Sequence, residues 1–342
     1  MRIAVVKPDD LGDFILAIPA IHALVLAGHD VTVFCKPRFQ VLAQRLVRSV
    51  SLRPIVLRHL LRPGLDDFAS GSSDLEVLAG YDIVVFLKRD AFLNPQRFAR
   101  IAPRALFPVE ADAASPVRHE AWANLDVVRP LLDAGQRSID EFYPDPIPSR
   151  YPERIGRVGL VIGTGFHTKK WPMLGWLEFI RMLNDRKMEW TILCGVDELQ
   201  TAERLATAAG SRREGCIGVG DDDVDKFLRA VRKCDVVVGV DGGTAHLCAL
   251  AAPVLGLFGP SPFRRYCPVG RANRVVTLEL GCSPCSGADP GILNACMSLE
   301  CMFALLPAAV MAALDHPNLS PGSSVIVDPM YRARAYFGLS HA

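Results

Sequence analysis

From Gly242 to Phe263 the chain carries no Asp, Glu, Lys or Arg, and few arrangements can hold such a run. It is long enough to raise a membrane span, but Pro253, Gly256, Gly259 and Pro260 break it. A buried helix followed by a buried strand fits better. Just upstream, "DVVVGV" is apolar enough to be a strand covered on both faces. "DGGT" then turns the chain into the helix "TAHLCALAA", and "PVLGLFG" is the next strand. Strand, loop, helix and strand in that order, with both strands apolar throughout, make a parallel βαβ unit.

The same rhythm runs along the whole chain. "RIAVVK" is a strand, "PDDLGD" a loop, "FILAIPAIHALVLAG" a helix ending at Gly28, "DVTVFCK" a strand, and "YDIVVFLK" another. "FYPDPIPSRYPERIGR" holds four prolines and reads as a linker. Beyond it come the strand "RVGLVIGTG", the helix "WPMLGWLEFIRMLNDR" with Pro172 near its first turn, the strand "EWTILCG", and the helices "DELQTAERLATAAG" and "DKFLRAVRKC". A length of 342 residues exceeds what one core usually supports. The expectation is two doubly wound α/β domains: residues 1–148, residues 149–328, and a tail over 329–342. Ligands then belong at the carboxyl ends of strands, at switch points, and the expected active site is a cleft between the halves.

Composition excludes several classes. The net charge is +1, so no global field attracts nucleic acid. The opening "MRIAVVKPDD" has an apolar run too short for a signal peptide, and two aspartates follow it. Ten cysteines without a secretory signal suggest a reducing, cytoplasmic setting.

The loop "DGGT" can do more than turn the chain. Gly242 and Gly243 let backbone N–H groups approach a ligand. A helix start there suits a diphosphate, with Thr244 as cap or phosphate partner and His246 as a further donor. An ordinary capped βα loop accounts for the stretch equally well. "VIGTGFHTKKWP" repeats the layout, with Thr164 in the glycine turn and Lys169 and Lys170 before a helix, where lysine can neutralise phosphate. In the first domain Gly12 and Asp13 stand at the first helix, where an aspartate is usually a dipole partner. Between Val31 and Leu65 there is no acid, but there are Lys36, Arg38, Arg45, Arg48, Arg53, Arg58 and Arg62. A solvated face is the plain reading of that block. An anionic acceptor, or peripheral contact with the anionic inner leaflet, is the functional one, with Arg58 and Arg62 as its candidates. Finally, "CSPCSGADPGILNACMSLEC" clusters Cys282, Cys285, Cys296 and Cys301 in a short loop. Four such thiolates can surround zinc or iron, although disulfides or unpaired thiols are open alternatives.

Taken together, "MRIAVVKPDDLGDFILAIPAIHAL", "KKWP" and "DVVVGVDGGTAHLCALAAPVLGLFGPSP" resemble, in order and spacing, glycosyltransferase family 9, the heptosyltransferases of lipopolysaccharide core assembly. The resemblance implies a GT-B fold of two Rossmann-like domains, with the sugar nucleotide held mainly by the second. It implies inversion at the anomeric carbon with no cofactor for catalysis. Asp13 matches the family's catalytic base. Gly12, Thr164, Lys169, Asp241, Gly242, Gly243, Thr244 and His246 fall at donor positions, and "GVDE" resembles a loop near the nucleotide. The donor implied is a nucleotide diphosphate sugar, ADP-heptose above others. The acceptor implied is an anionic glycolipid or glycan, with a polypeptide as the alternative. Cysteine clusters also occur in the family, where autotransporter heptosyltransferases hold iron with four cysteines. An epimerase or dehydrogenase would need a G-x-G-x-x-G opening, which "PDDLGD" lacks. A non-catalytic binding protein is disfavoured because Asp13, Lys169 and His246 are all present.

Overall fold

The computed structural model describes residues 1–47, 49–54, 77–87, 105–108, 118–133, 138–210, 216–219, 224–285, 295–316 and 323–337. The chain divides into two compact units, Met1–Pro146 and Ile147–Ala342, parting inside the proline-rich stretch.

Unit 1 is a parallel sheet in the order β3-β2-β1-β4-β5. Its strands are β1 (Arg2–Lys7), β2 (Asp30–Cys35), β3 (Ser51–Pro54), β4 (Ile83–Phe86) and β5 (Ala105–Leu106). β1 and β2 are buried along almost their whole length, as the continuous apolar runs require of a sheet covered on both faces. Helix α1 (Leu11–Leu26) joins β1 to β2 and packs on α3 (Glu120–Val128); the short α2 (Gln40–Leu46) follows β2. Pro19 lies inside α1. It lacks the N–H that would reach back to the Ile15 carbonyl. The buried Tyr143 hydroxyl donates to that oxygen instead at 3.3 Å, and Asn124 Nδ2 donates to the neighbouring Leu16 carbonyl at 3.3 Å. The proline is therefore tolerated because two side chains from elsewhere satisfy the carbonyls it disturbs. At the other end Gly28, with φ +79°, takes the left-handed turn that stops the helix.

Unit 2 is an eight-stranded sheet in the order β12-β13-β11-β10-β9-β6-β7-β8. The parallel part comprises β6 (Arg157–Val161), β7 (Glu189–Gly195), β8 (Cys216–Val219), β9 (Val236–Val240), β10 (Val254–Phe258) and β11 (Arg274–Leu278). Its described helices are α4 (Met173–Asp185), α5 (Leu199–Ala208), α6 (Val224–Val231), α7 (Gly243–Ala249), α8 (Phe263–Tyr266), α9 (Glu300–Phe303) and α10 (Pro307–Leu314). Counted from the start of each unit, both sheets run third, second, first, fourth, fifth. That is the doubly wound Rossmann order, with its switch point between the first and fourth strands. In unit 1 the switch point lies between β1 and β4; in unit 2 it lies between β6 and β9.

Residues 329–342, expected from the sequence to be a tail, are not one where they are described. β13 (Ala333–Phe337) pairs antiparallel with both β11 and β12 (Ser324–Asp328), closing one edge of the sheet. Ala333, Ala335 and Phe337 are buried, while Arg334 and Tyr336 between them are half-buried. This two-residue alternation is short and interrupted by charge, so it lacks the apolar run that marks the parallel strands.

Candidate active site

The carboxyl ends of β6, β9 and β10 bring three loops of unit 2 together. The loop after β6 carries Gly163, Thr164 and Lys169. The loop after β9 carries Asp241 and Gly242, and the loop after β10 carries Ser261. Thr164 Oγ1 donates to the Asp241 carbonyl at 2.8 Å, and the Asp241 N–H donates to the Leu257 carbonyl at 3.2 Å. The loops also touch through their glycines. A Cβ on Gly242 would lie 3.2 Å from the Gly163 carbonyl and from Thr164, and one on Gly163 would fall on the Glu198 carboxyl. Glu198 Oε2 accepts the Gly195 N–H at 3.0 Å, so this side chain caps the turn after β7 and lies across Gly163.

At the centre is a charged pair. Lys169 Nζ lies 2.8 Å from Asp241 Oδ2, with the two side chains 15% and 7% exposed. Burial pushes the Asp241 pKa up. The Lys169 ammonium, the Ser261 hydroxyl and His246 outweigh that effect and hold it below the usual carboxylate value. Between the two lysines of "KKWP" the structure selects Lys169; Lys170 is exposed. The tryptophan and proline of that motif are supports. Trp171 Nε1 donates to the Leu305 carbonyl at 2.9 Å, its ring meets Trp176 edge-on at 4.9 Å, and Pro172 precedes α4. That anchor fixes the short 3₁₀ turn His167–Lys169 and hence the lysine. In the same turn Thr168 Oγ1 is buried with no hydrogen-bond partner among the described residues. A buried hydroxyl left so costs about 1–3 kcal/mol.

Two assignments change. α7 begins at Gly243 with Gly242 at its cap position, and no side chain caps it. Thr244 is therefore not the cap, and its half-buried hydroxyl is left for other use. His246 is 4% exposed. It lies close enough to Asp241 to influence that carboxylate, which places it as a buried neighbour of the pair.

Gly12 and Asp13 lie in unit 1, in the first turn of α1. Arg58 and Arg62 lie outside the described residues. From the same basic block, Lys36 is paired with Asp10 at 2.7 Å, a structural use for that one charge. The four cysteines gather by the turn after β10. The Cys285 N–H donates to the Pro260 carbonyl at 2.9 Å, and a Cβ on Gly259 would lie 2.9 Å from Cys301 Sγ. Burial and the neighbouring cluster thiols push Cys285 up and Cys301 to about 12. The donor set, four soft thiols in one another's field, fits zinc or iron. Its spacing does not, because among the described residues no three His, Cys, Asp or Glu are arranged to hold a metal ion.

Sequence reasoning missed Ser261, which sits unremarked in "GPSP", and the contact made by Glu198. A serine between two prolines carries no signal of its own; only the folded loop brings it to Asp241.

Residues 147–291 match the model of Glycosyltransferase family 9 (heptosyltransferase). This stretch is similar to a family 9 glycosyltransferase domain. It contains every residue of the Lys169–Asp241 site. Among solved structures the chain is similar to the E. coli heptosyltransferase WaaC with ADP, at 18% identity and TM-score 0.57, covering 80% of this chain and 92% of that one. It is similar to E. coli ADP-heptose lps heptosyltransferase II at 17% identity and TM-score 0.59, covering 82% and 92%. The iron-containing dodecameric glycosyltransferase TibC from enterotoxigenic E. coli matches at 12% identity and TM-score 0.53, over 92% of this chain and 78% of that one. A search of curated protein sequences gave no significant match. At these identities the likeness establishes the fold: two Rossmann-like units of the GT-B type, the family 9 match lying in the second.

Proposed function

We propose that the chain is an inverting glycosyltransferase that moves a heptose-type sugar from a nucleotide diphosphate sugar to a lipopolysaccharide-core or related anionic glycan acceptor. The observation that carries this reading is the Lys169–Asp241 pair at the β6/β9 switch point, inside the family 9 match, with a buried unsatisfied Thr168 hydroxyl beside it. ADP-heptose is the donor proposed, since similar structures hold ADP or ADP-heptose-type ligands.

In this mechanism the loops of unit 2 hold the diphosphate. Lys169 supplies the positive charge, and the backbone N–H groups at Gly242–Thr244 donate to the phosphate oxygens. Asp13, from unit 1, takes the proton of the acceptor hydroxyl. The hydroxyl oxygen forms its bond to the anomeric carbon on the face opposite the leaving group. The carbon–oxygen bond to the diphosphate breaks, and that pair of electrons leaves as charge on the nucleotide diphosphate. Lys169 and the loop amides stabilise the growing charge. His246 and Ser261 keep Asp241 ionised, so Asp241 holds the lysine in place until a phosphate competes for it. Gly12, in the first turn of α1, belongs to the donor side of the proposal, and Arg58 and Arg62 belong to its acceptor side. A structural zinc or iron at Cys282, Cys285, Cys296 and Cys301 is a separate part of it. Binding there would require the thiols to stand closer together than they do in the structure, and would then staple the loop.

A cytoplasmic setting is part of the proposal, and any membrane contact would be peripheral: among the described residues no helix is long and apolar enough to cross a bilayer. The test is Asp13→Asn. Turnover of ADP-heptose with a heptose-free lipopolysaccharide core should fall at least ~100-fold, the scale of a lost general base, with ADP affinity unchanged. Normal turnover would remove Asp13 from the mechanism. Label transfer to a polypeptide instead of the core would favour the protein-acceptor alternative.

A further inference from the structure

The turn after β10 is held hard against the short helix α9. A Cβ on Gly259 would lie 2.5 Å from Met302 Sδ, 2.9 Å from Met302 Cγ and 2.9 Å from Cys301 Sγ. Only glycine fits there without moving those side chains, and both are buried, so neither can yield into solvent. The Ser283 hydroxyl fastens the same turn a second time, donating to the Gly259 carbonyl at 2.6 Å. α9 is itself fixed at its start. Leu299 takes a left-handed φ of +50° and accepts the Met302 and Phe303 N–H groups at 2.9 and 3.0 Å. That conformation is uncommon for a bulky apolar residue and persists where surrounding contacts over-determine it.

The other end of the same segment reaches a different loop. Two residues past α9, the Leu305 carbonyl accepts Trp171 Nε1 at 2.9 Å. The Trp171 ring is confined in turn: a Cβ on Gly175 would lie 2.9 Å from it, and Trp176 and Phe179 meet it edge-on at 4.9 and 6.1 Å. Two residues before Trp171 stands Lys169, whose Nζ lies 2.8 Å from Asp241 Oδ2. β10, β9 and β6 are neighbours in the sheet. The segment Leu299–Leu305 therefore touches the loops on both sides of the one that carries Asp241.

We propose that Met302 is a positioning residue for the Lys169–Asp241 site. Seated against Gly259 while its segment holds Trp171 through Leu305, it sets the separation of the loops after β6 and β10, and so the point at which Lys169 meets a diphosphate. This rests on the reading of that site as the donor site, and its test keeps the two apart.

The test compares wild type with Met302→Ala, Met302→Leu and Trp171→Phe. ADP affinity is measured by calorimetry, and donor and acceptor KM with ADP-heptose and a heptose-free lipopolysaccharide core. The Asp241 carboxyl is followed by NMR of isotope-labelled aspartate and identified by its loss in Asp241→Asn. In Met302→Ala the ADP Kd and the donor KM should rise together about tenfold, short of the ~100-fold that an ångström of misplacement can cost. The acceptor KM should stay where it is. Met302→Leu, close in volume, should restore most of the affinity. Trp171→Phe has no N–H to give Leu305 and should raise both constants too. Met302→Ala and Trp171→Phe should both move the Asp241 titration upward, because Lys169 drifts from the carboxylate. A purely structural Met302 would lower the fraction of active protein, and with it kcat, while Kd and KM held; that result overturns the proposal. If Met302→Ala does not fold, unchanged ADP affinity with an unmoved Asp241 titration in Trp171→Phe overturns it as well. A wild type that binds no ADP would instead overturn the donor-site reading. The Asp241 titration then decides alone: an upward move in the variants upholds the role of Met302, and an unmoved one ends it.

Discussion

Replacing Lys169 with alanine should invert the pH dependence of stability that Asp241 contributes. In the intact protein the Asp241 pKa is depressed. The carboxylate therefore adds stability above its unfolded value, near 3.9, which is lost as pH falls through the lower folded one. In Lys169→Ala, burial, the largest influence on this group, is opposed only by Ser261 and His246. The folded pKa then rises above the unfolded one, and the sign reverses: the variant holds its stability at low pH, with Asp241 protonated, and loses it as pH rises. Removing one partner of a buried pair costs about 3–5 kcal/mol. The lower end applies because Lys169 is 15% exposed and water can partly replace it. For a unit of this size each kcal/mol lowers Tm by roughly 2–4 °C, so the deficit at pH 8 should be about 6–12 °C. Thermal melts of wild type, Lys169→Ala and Lys169→Met from pH 4.5 to 8 measure it. The deficit should shrink by half or more at pH 4.5 in both variants. A deficit of constant size across that range would mean that lost packing, and not an orphaned charge, explains the variants.

Two further outcomes follow from contacts in unit 2. Gly163→Ala should displace the Glu198 carboxyl from the Gly195 N–H, costing roughly 0.5–2 kcal/mol as a lost cap does, while the same change in a Glu198→Ala background costs much less; equal costs in the two backgrounds, measured by urea denaturation, would contradict the contact. Elemental analysis of protein purified without chelator should find about one zinc or iron per chain. The metal should be lost together with thermal stability in Cys282→Ser/Cys285→Ser, and metal-free protein of full stability would end the metal proposal without touching the transferase one.

The sequence by itself determined the layers and most of the strands. Continuous apolar runs such as "IAVV", "VTVFC" and "VVVGV" have one low-energy fate, a strand covered on both faces, and strands of that kind need helical crossovers. It also determined which loops carry glycine, lysine and aspartate at strand ends, and residues 147–291 match the family 9 model. What it did not determine depends on partners distant in the chain. The choice of Lys169 over Lys170 comes from the Trp171 anchor on Leu305. The depressed Asp241 depends on Ser261, twenty residues on, and on the burial that only the assembled loops create. The burial of Lys7, whose Nζ donates to the Leu87 carbonyl, depends on a residue eighty positions away, because a terminal strand lysine is ordinary until a neighbouring strand closes over it. The strand β13 escaped notice for the same reason: it has one buried face, and which of its residues face the core is set by its pairing with β11. Local pattern fixes period and hydrophobicity. Charge state and burial are properties of the surroundings, and tertiary contact supplies those.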